Sequence, residues 1–479
     1  MEQLPRIESG IAGLDTLLNG GLVAGSSYII QGRPGSGKTI FANQIAFHHA
    51  AHGGRVLFAT LLSETHERLF QFLSTLSFFD RERIGREMQF VSAFDTLQSE
   101  GLDEVVKLLR REISRQKASV LIVDGVLNAR SRADTAIDTK KFIAELQGHA
   151  AFAGCTVLFL TSARLDDGSP EHTMVDGVIE LGDDLTGARS VRRLNLRKTR
   201  GSGAISGLHE FEITENGIVI YPRLEAVLSR PSVPDDLDLG RTSTGVDDVD
   251  RLIGGGLQKG SSTLLIGPSG SGKTSLGISF VSQATVDEPG LIFGFYESEE
   301  RLKRKASALG FGLAQKIEDG AVHVLWQPTT ERLLDALGHR LLNAVRQKNI
   351  KRVLIDSLGG IARAAVRSNR VTEFFTALIG ELRAMGVTVI ATWEIRDMFD
   401  SNAQAPALEL SSIFDNLILL RFIEDQTQLR RILTVIKVRD SEYDPSFHEM
   451  VLNQDGIRLN APGEPSARQL EASRPRLGG

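Results

Sequence analysis

Gly32-Arg33-Pro34-Gly35-Ser36-Gly37-Lys38-Thr39 and Gly267-Pro268-Ser269-Gly270-Ser271-Gly272-Lys273-Thr274 carry one pattern, four residues between glycines and then Gly-Lys-Thr. The glycines let consecutive backbone N–H groups turn inward around phosphate oxygens, at the positive end of the helix that follows. Lys38 and Lys273 then reach the β- and γ-phosphates of a nucleotide, while Thr39 and Thr274 offer hydroxyls to Mg²⁺. Each run follows an apolar stretch and precedes a helical pattern, Ile40-Phe41-Ile45 or Leu276-Ile278-Val281. Gly32, Gly35, Ser36, Gly37, Lys38, Thr39 and Ile40 form the expected ATP-contacting set of the first loop. In the second it is Gly267, Ser269, Gly270, Ser271, Gly272, Lys273, Thr274 and Ser275. One accidental glycine turn is ordinary; two at matching places are not.

The repetition spreads outward from the loops. Gly10-Ile11-Ala12-Gly13-Leu14-Asp15 aligns with Gly245-Val246-Asp247-Asp248-Val249-Asp250, and Gly20-Gly21-Leu22 with Gly255-Gly256-Leu257. The register holds to Lys38 and Lys273, then drifts by a few residues through Glu64/Glu297, Asp124/Asp356 and Lys198/Lys437, as loop insertions produce. A repeat of this length is a duplicated domain, not a solenoid. The expected division is a first domain over residues 1–229, a linker over 230–238, a second domain over 239–460 and a flexible tail over 461–479. Proline and charge mark the linker, Arg230-Pro231-Ser232-Val233-Pro234-Asp235-Asp236. Pro462, Pro465 and Pro475 mark a tail with too little apolar content to bury a core.

Composition narrows the classes. The 479 residues are 41% hydrophobic and 24% charged, with a net charge of −5, an ordinary globular balance that argues against non-specific nucleic-acid binding. Cys155 is the only cysteine, so there is no internal disulfide and no CxxC metal site, and its apolar surroundings predict a packed thiol. No secretory or membrane-spanning pattern occurs, and the chain reads as soluble and cytoplasmic.

Between the loops and the domain ends, apolar β-rich runs alternate with helical patterns. Val120-Leu121-Ile122-Val123 and Val157-Leu158-Phe159-Leu160 are apolar throughout, whereas Val105, Val106 and Leu109 recur at helical spacing. Fully apolar strands separated by helices predict a parallel sheet covered on both faces. The alternation in Arg192-Arg193-Leu194-Asn195-Leu196-Arg197 predicts antiparallel strands added at one edge. Asp124 and Asp356 each end a buried run downstream of a loop, where a carboxylate serves Mg²⁺.

With these residues the chain resembles the KaiC family over nearly its whole length. The resemblance rests on the two loops, their Gly-Leu-Asp and Gly-Gly-Leu lead-ins, Val175-Asp176-Gly177-Val178-Ile179 and Ile413-Phe414-Asp415-Asn416-Leu417-Ile418, and the elements Lys198-Thr199-Arg200 and Lys437-Val438-Arg439. It implies two tandem RecA-like P-loop NTPase domains of the α/β class, each a mostly parallel twisted sheet flanked by helices. It further implies ATP and Mg²⁺ as cofactors and a homohexamer in which Lys198, Arg200, Lys437 and Arg439 reach a neighbour's phosphates. A regulatory protein partner, KaiB-like or another signalling protein, belongs to the same implication. The family places two adjacent glutamates after the second strand, but here only Glu64, in Leu62-Ser63-Glu64, and Glu297, in Phe295-Tyr296-Glu297, are present. These are the candidate catalytic bases beside Lys38 and Lys273, and turnover is expected to be slow.

Ser411 and Ser412 fall where circadian members carry autophosphorylated hydroxyls, and the same hydroxyls also suit the capping of a turn. Three functions remain open on this basis: a ring-forming ATPase and serine/threonine autokinase in signalling, a RadA- or DnaB-like nucleic-acid motor, and a nucleotide-gated scaffold. The acidic balance and the lack of a zinc ribbon or a basic, aromatic-interleaved loop speak against the motor.

Overall fold

The computed structural model describes residues 4–63, 66–125, 136–162, 170–229, 240–328, 332–395, 410–425 and 428–460. Glu64, the expected linker 230–238 and the expected tail 461–479 lie outside these residues. The chain divides into two compact units, Met1–Ala226 and Val227–Gly479.

The first unit is built on a nine-stranded sheet of β1 (Ser27–Gln31), β2 (Val56–Thr60), β3 (Met88–Ser92), β4 (Val120–Asp124), β5 (Thr156–Thr161), β6 (Gly177–Thr186), β7 (Arg189–Thr199), β8 (Gly207–Thr214) and β9 (Gly217–Tyr221). Their order in space is β9-β8-β7-β6-β1-β5-β4-β2-β3. The block from β6 through β3 is parallel, and β7, β8 and β9 add in antiparallel fashion at the edge.

The second unit repeats this plan with β10 (Ser262–Gly267), β11 (Gly290–Gly294), β12 (Val322–Trp326), β13 (Arg352–Asp356), β14 (Thr388–Glu394), β15 (Asn416–Asp425), β16 (Gln428–Val438), β17 (His448–Asn453) and β18 (Gly456–Asn460). The order is the same strand for strand, β18-β17-β16-β15-β10-β14-β13-β11-β12. Each unit is thus the mostly parallel α/β sheet that the sequence predicts.

The strands are apolar throughout because both of their faces are covered. In the first unit Ile30, Phe58, Ile122 and Leu158 join one core with Phe41 and Ile45 of the helix α1 (Lys38–Ala51). Their chain neighbours Ile29, Leu57, Leu121 and Phe159 face the opposite core, with Val105, Leu109, Phe142 and Leu146 from the helices Leu102–Gln116 and Ala136–Phe152. In the second unit α2 (Lys273–Ser282) sets Leu276 and Phe280 against Leu265, Ile292 and Leu354. Cys155 is fully buried, and burial pushes its thiol up to about 12, which leaves it a packing residue.

The topology positions the site. Residues 32–37 lead from the carboxyl end of β1 into α1, and residues 268–272 from that of β10 into α2, at the centre of each sheet. Such crevices at the carboxyl ends of parallel strands are where open α/β sheets bind ligands.

Candidate nucleotide sites

The two phosphate loops have the same backbone. Gly35 and Gly37 lie at φ 80° and 100°, and Gly270 and Gly272 at 79° and 103°, in the left-handed region that glycine adopts without a side-chain clash. The first glycine of each loop is required by space instead. A Cβ on Gly32 would stand 2.2 Å from the Leu181 carbonyl oxygen, and one on Gly267 would stand 2.4 Å from that of Leu420. Strands β6 and β15 press that closely on the loops.

Lys38 and Lys273 are buried at the first turn of their helices. Lys38 Nζ donates to the carbonyls of Gly32 at 2.8 Å and Arg33 at 2.9 Å; Lys273 Nζ donates to those of Gly267 and Pro268, both at 2.7 Å. Burial lowers the pKa of both lysines, opposed by Asp124 in the first unit and by Glu394 and Asp356 in the second. A buried ammonium held only by its own loop's carbonyls is a strong attractor for phosphate. Ser36 Oγ and Ser271 Oγ, at matching places, are buried with no hydrogen-bond partner among the described residues. Buried polar atoms are nearly always satisfied, so a matched pair of orphans inside two phosphate loops fits a bound polyphosphate.

Thr274 Oγ1 donates to Asp356 Oδ2 at 2.8 Å, which brings together the two residues expected at Mg²⁺. Thr392, on the neighbouring strand, donates to the other oxygen of Asp356 at 2.5 Å. Asp124 ends β4 as Asp356 ends β13. A hydroxyl and a carboxylate leave most of the coordination shell to phosphate and water, which suits Mg²⁺. Among the described residues no cluster of three His, Cys, Asp or Glu side chains could hold a metal by itself.

Glu297 follows β11, whose continuation is tied to β13 by Phe295 N donating to Asp356 O at 3.1 Å. Lys305, on the helix Glu299–Ala308, holds Glu297 Oε1, while Oε2 is buried without a partner among the described residues. One oxygen is fixed and the other is left to accept. Tyr296, the residue before Glu297, is exposed, with the Arg363 guanidinium 5.7 Å from its ring centre.

The Lys-x-Arg elements lie elsewhere. Thr199 pairs with Gly177, which pairs with Tyr28, so Lys198 and Arg200 stand level with the amino end of β1. The phosphate loop leaves the other end, about 13 Å away along the strand. Lys198 Nζ donates to the carbonyls of His172, Thr173 and Val175, and Lys437 Nζ to those of Ser411 and Phe414. Arg439 pairs with Asp415 at 3.1 Å, and Arg200 lies 4.0 Å from Asp176. Both aspartates are anchored in turn by serines of the central strands, Ser27 and Ser262, through backbone N–H and hydroxyl.

Two residues that the motif reading passes over complete this end of the sheet. Arg6 donates to the carbonyls of Leu18 and Gly21 and to Ser202 Oγ; Arg241 donates to those of Ile253 and Gly256 and to Ser441 Oγ. Each clamps the loop after a Lys-x-Arg element onto the Gly-Gly lead-in. Their equivalence in the repeat was the available signal.

The family description ATPase: KaiC matches residues 7–225 and again residues 242–464. The chain belongs to the KaiC ATPase family. Its relatives include the circadian clock oscillator protein KaiC of Parathermosynechococcus lividus, 26% identical over 95% of this chain and 85% of the relative. Circadian clock oscillator protein KaiC 1 of Synechocystis sp. is 26% identical over 94% of this chain and 88% of the relative. The KaiC of Synechococcus elongatus is 25% identical over 95% and 89%. The KaiC match covers both phosphate loops, both strand-end aspartates and both Lys-x-Arg elements. Among the described residues no helix is long and apolar enough to cross a membrane.

Proposed function

We propose that both units bind Mg-ATP and that the chain works as a slowly hydrolysing homohexamer in signalling or clock-like regulation. The matched loops carry this reading: the same φ angles, the same lysine contacts and the same orphaned serine recur in each unit. The phosphate groups would sit on the loop N–H groups, Ser36 or Ser271, and Lys38 or Lys273, with Gly32, Gly35, Gly37, Ile40, Gly267, Ser269, Gly270, Gly272 and Ser275 shaping the cradle. Thr39 with Asp124, and Thr274 with Asp356, would hold Mg²⁺, which when bound neutralises charge on the β- and γ-phosphates.

Hydrolysis requires a water aligned with the γ-phosphate and a base for its proton. Glu297 Oε2 is suited to that task in the second unit, and Glu64 takes the role in the first by repeat. Lys198, Arg200, Lys437 and Arg439 lie at the far end of their own sheets, so each would complete the site of a neighbouring subunit. A ring that buries ATP between subunits should depend on nucleotide. Light scattering is expected to give the mass of a hexamer in saturating Mg-ATP and smaller species without it. A monomer in ATP would overturn the ring.

The autokinase reading has one observation in its favour. The carbonyl of Ser411 accepts from Lys437 at 3.1 Å, so the segment of Ser411 and Ser412 adjoins a cation assigned to the neighbour's ATP. Phosphoryl transfer asks more of positioning and charge neutralisation than of the base. Long incubation with Mg-ATP is expected to add about 80 Da to the intact mass, as one phosphoryl group does. That species should vanish in the Ser411→Ala/Ser412→Ala variant, and an unchanged wild-type mass would leave an ATPase or a nucleotide-gated scaffold.

A further inference from the structure

The two phosphate sites differ in charge within the loop, where Arg33 matches Pro268, and on the strand beside it. β14 pairs in parallel with β10, Ile266 opposite Trp393 and Gly267 opposite Glu394, and Ile395 N donates to Gly267 O at 3.2 Å. Glu394 therefore stands beside the first glycine of the second loop. Side chains alternate along a strand, so Glu394 shares a face with Thr392. Thr392 meets the Asp356 carboxylate, and Asp356 meets Thr274, so this is the face on which Mg²⁺ and phosphate would lie. Burial lowers the pKa of Lys273, and the charges of Glu394 and Asp356 oppose that shift. The Glu394 carboxylate makes no hydrogen bond among the described residues.

The first unit has no charge at the matching position. β5 pairs with β1, Gln31 opposite Thr161, and Gly32 N donates to Thr161 O at 3.2 Å. The next residue, in the place of Glu394, is Ser162, and Leu160 stands where Thr392 does. The charge acting on Lys38 is that of Asp124.

We propose that Glu394 sets the nucleotide preference of the second site, placing a negative charge beside its phosphate-binding lysine so that this site favours ATP over ADP less than the first site does. This rests on the reading that both loops hold nucleotide. The γ-phosphate is the group by which ATP exceeds ADP in negative charge, and the lysine would reach it together with the β-phosphate. A carboxylate there repels ATP more than ADP. Lys273 is buried but Glu394 is exposed, so water screens part of the repulsion and the expected effect is modest.

Full-length chain carrying Lys38→Ala isolates the second site, and Lys273→Ala isolates the first. Each is titrated with fluorescent ATP and ADP analogues at constant Mg²⁺. Glu394→Gln in the Lys38→Ala chain is expected to raise the ATP-over-ADP preference by about fivefold. Ser162→Glu in the Lys273→Ala chain should lower it by a similar factor, and this arm decides the matter if Glu394→Gln does not fold. Unchanged preference in both, or weaker ATP binding in Glu394→Gln as a metal-holding carboxylate would give, overturns the proposal. A folded Lys38→Ala chain that binds neither nucleotide overturns the two-site reading itself, and the proposal with it.

Discussion

Replacing Lys198, Arg200, Lys437 and Arg439 together by alanine is expected to lower ATP turnover by about 10³-fold, the low end of what a cation supplied to a phosphoryl-transfer site contributes. Nucleotide binding should survive, because the loops, their lysines and their magnesium-side residues are untouched. The four cations sit at the amino ends of their sheets, held on the carbonyls of Val175 and Phe414 and on Asp176 and Asp415. Acting on the loop of their own unit they would have to cross the length of the central strand. Acting between chains they need only meet a neighbour's loop, which gives a sharp test. The quadruple variant has loops without the cations, and the Lys38→Ala/Lys273→Ala chain has cations without loop lysines. Neither should turn over ATP alone, and mixed rings should recover part of the activity. Mixed rings that form and stay inactive would contradict the inter-subunit role.

Glu297→Gln in the Lys38→Ala chain is expected to slow the remaining hydrolysis by about 10²–10⁴-fold, the range of general-base help, with ATP affinity unchanged. Glutamine keeps the shape and loses the basicity. Lys305 fixes one oxygen of Glu297, and the other is buried and unpartnered among the described residues, which is the geometry of a carboxylate that receives a proton from an oriented water. Turnover equal to that of the Lys38→Ala chain would exclude Glu297 as the base.

What the sequence disclosed follows from how local each signal is. The places of the loops, and of Asp124 and Asp356 at strand ends, were legible because each is a fixed local pattern next to an apolar run. The antiparallel strand β7 was legible because its sequence alternates, and the covered strands because theirs do not. The clamp from Arg6 to Ser202 joins residues 196 apart in the chain, so no local pattern reveals it. Lys305 beside Glu297 depends on how a helix returns over a loop. Glu394 comes beside the first glycine of the second loop only through the register of β14 on β10, which composition and periodicity leave undetermined.

Whether there are two nucleotide sites per chain is decided most directly by counting bound nucleotide after exhaustive exchange with Mg-ATP and removal of the excess. The matched loops predict two nucleotides per wild-type chain, one in Lys38→Ala, one in Lys273→Ala and none in the double variant. One per wild-type chain, or full occupancy in the double variant, would contradict the account.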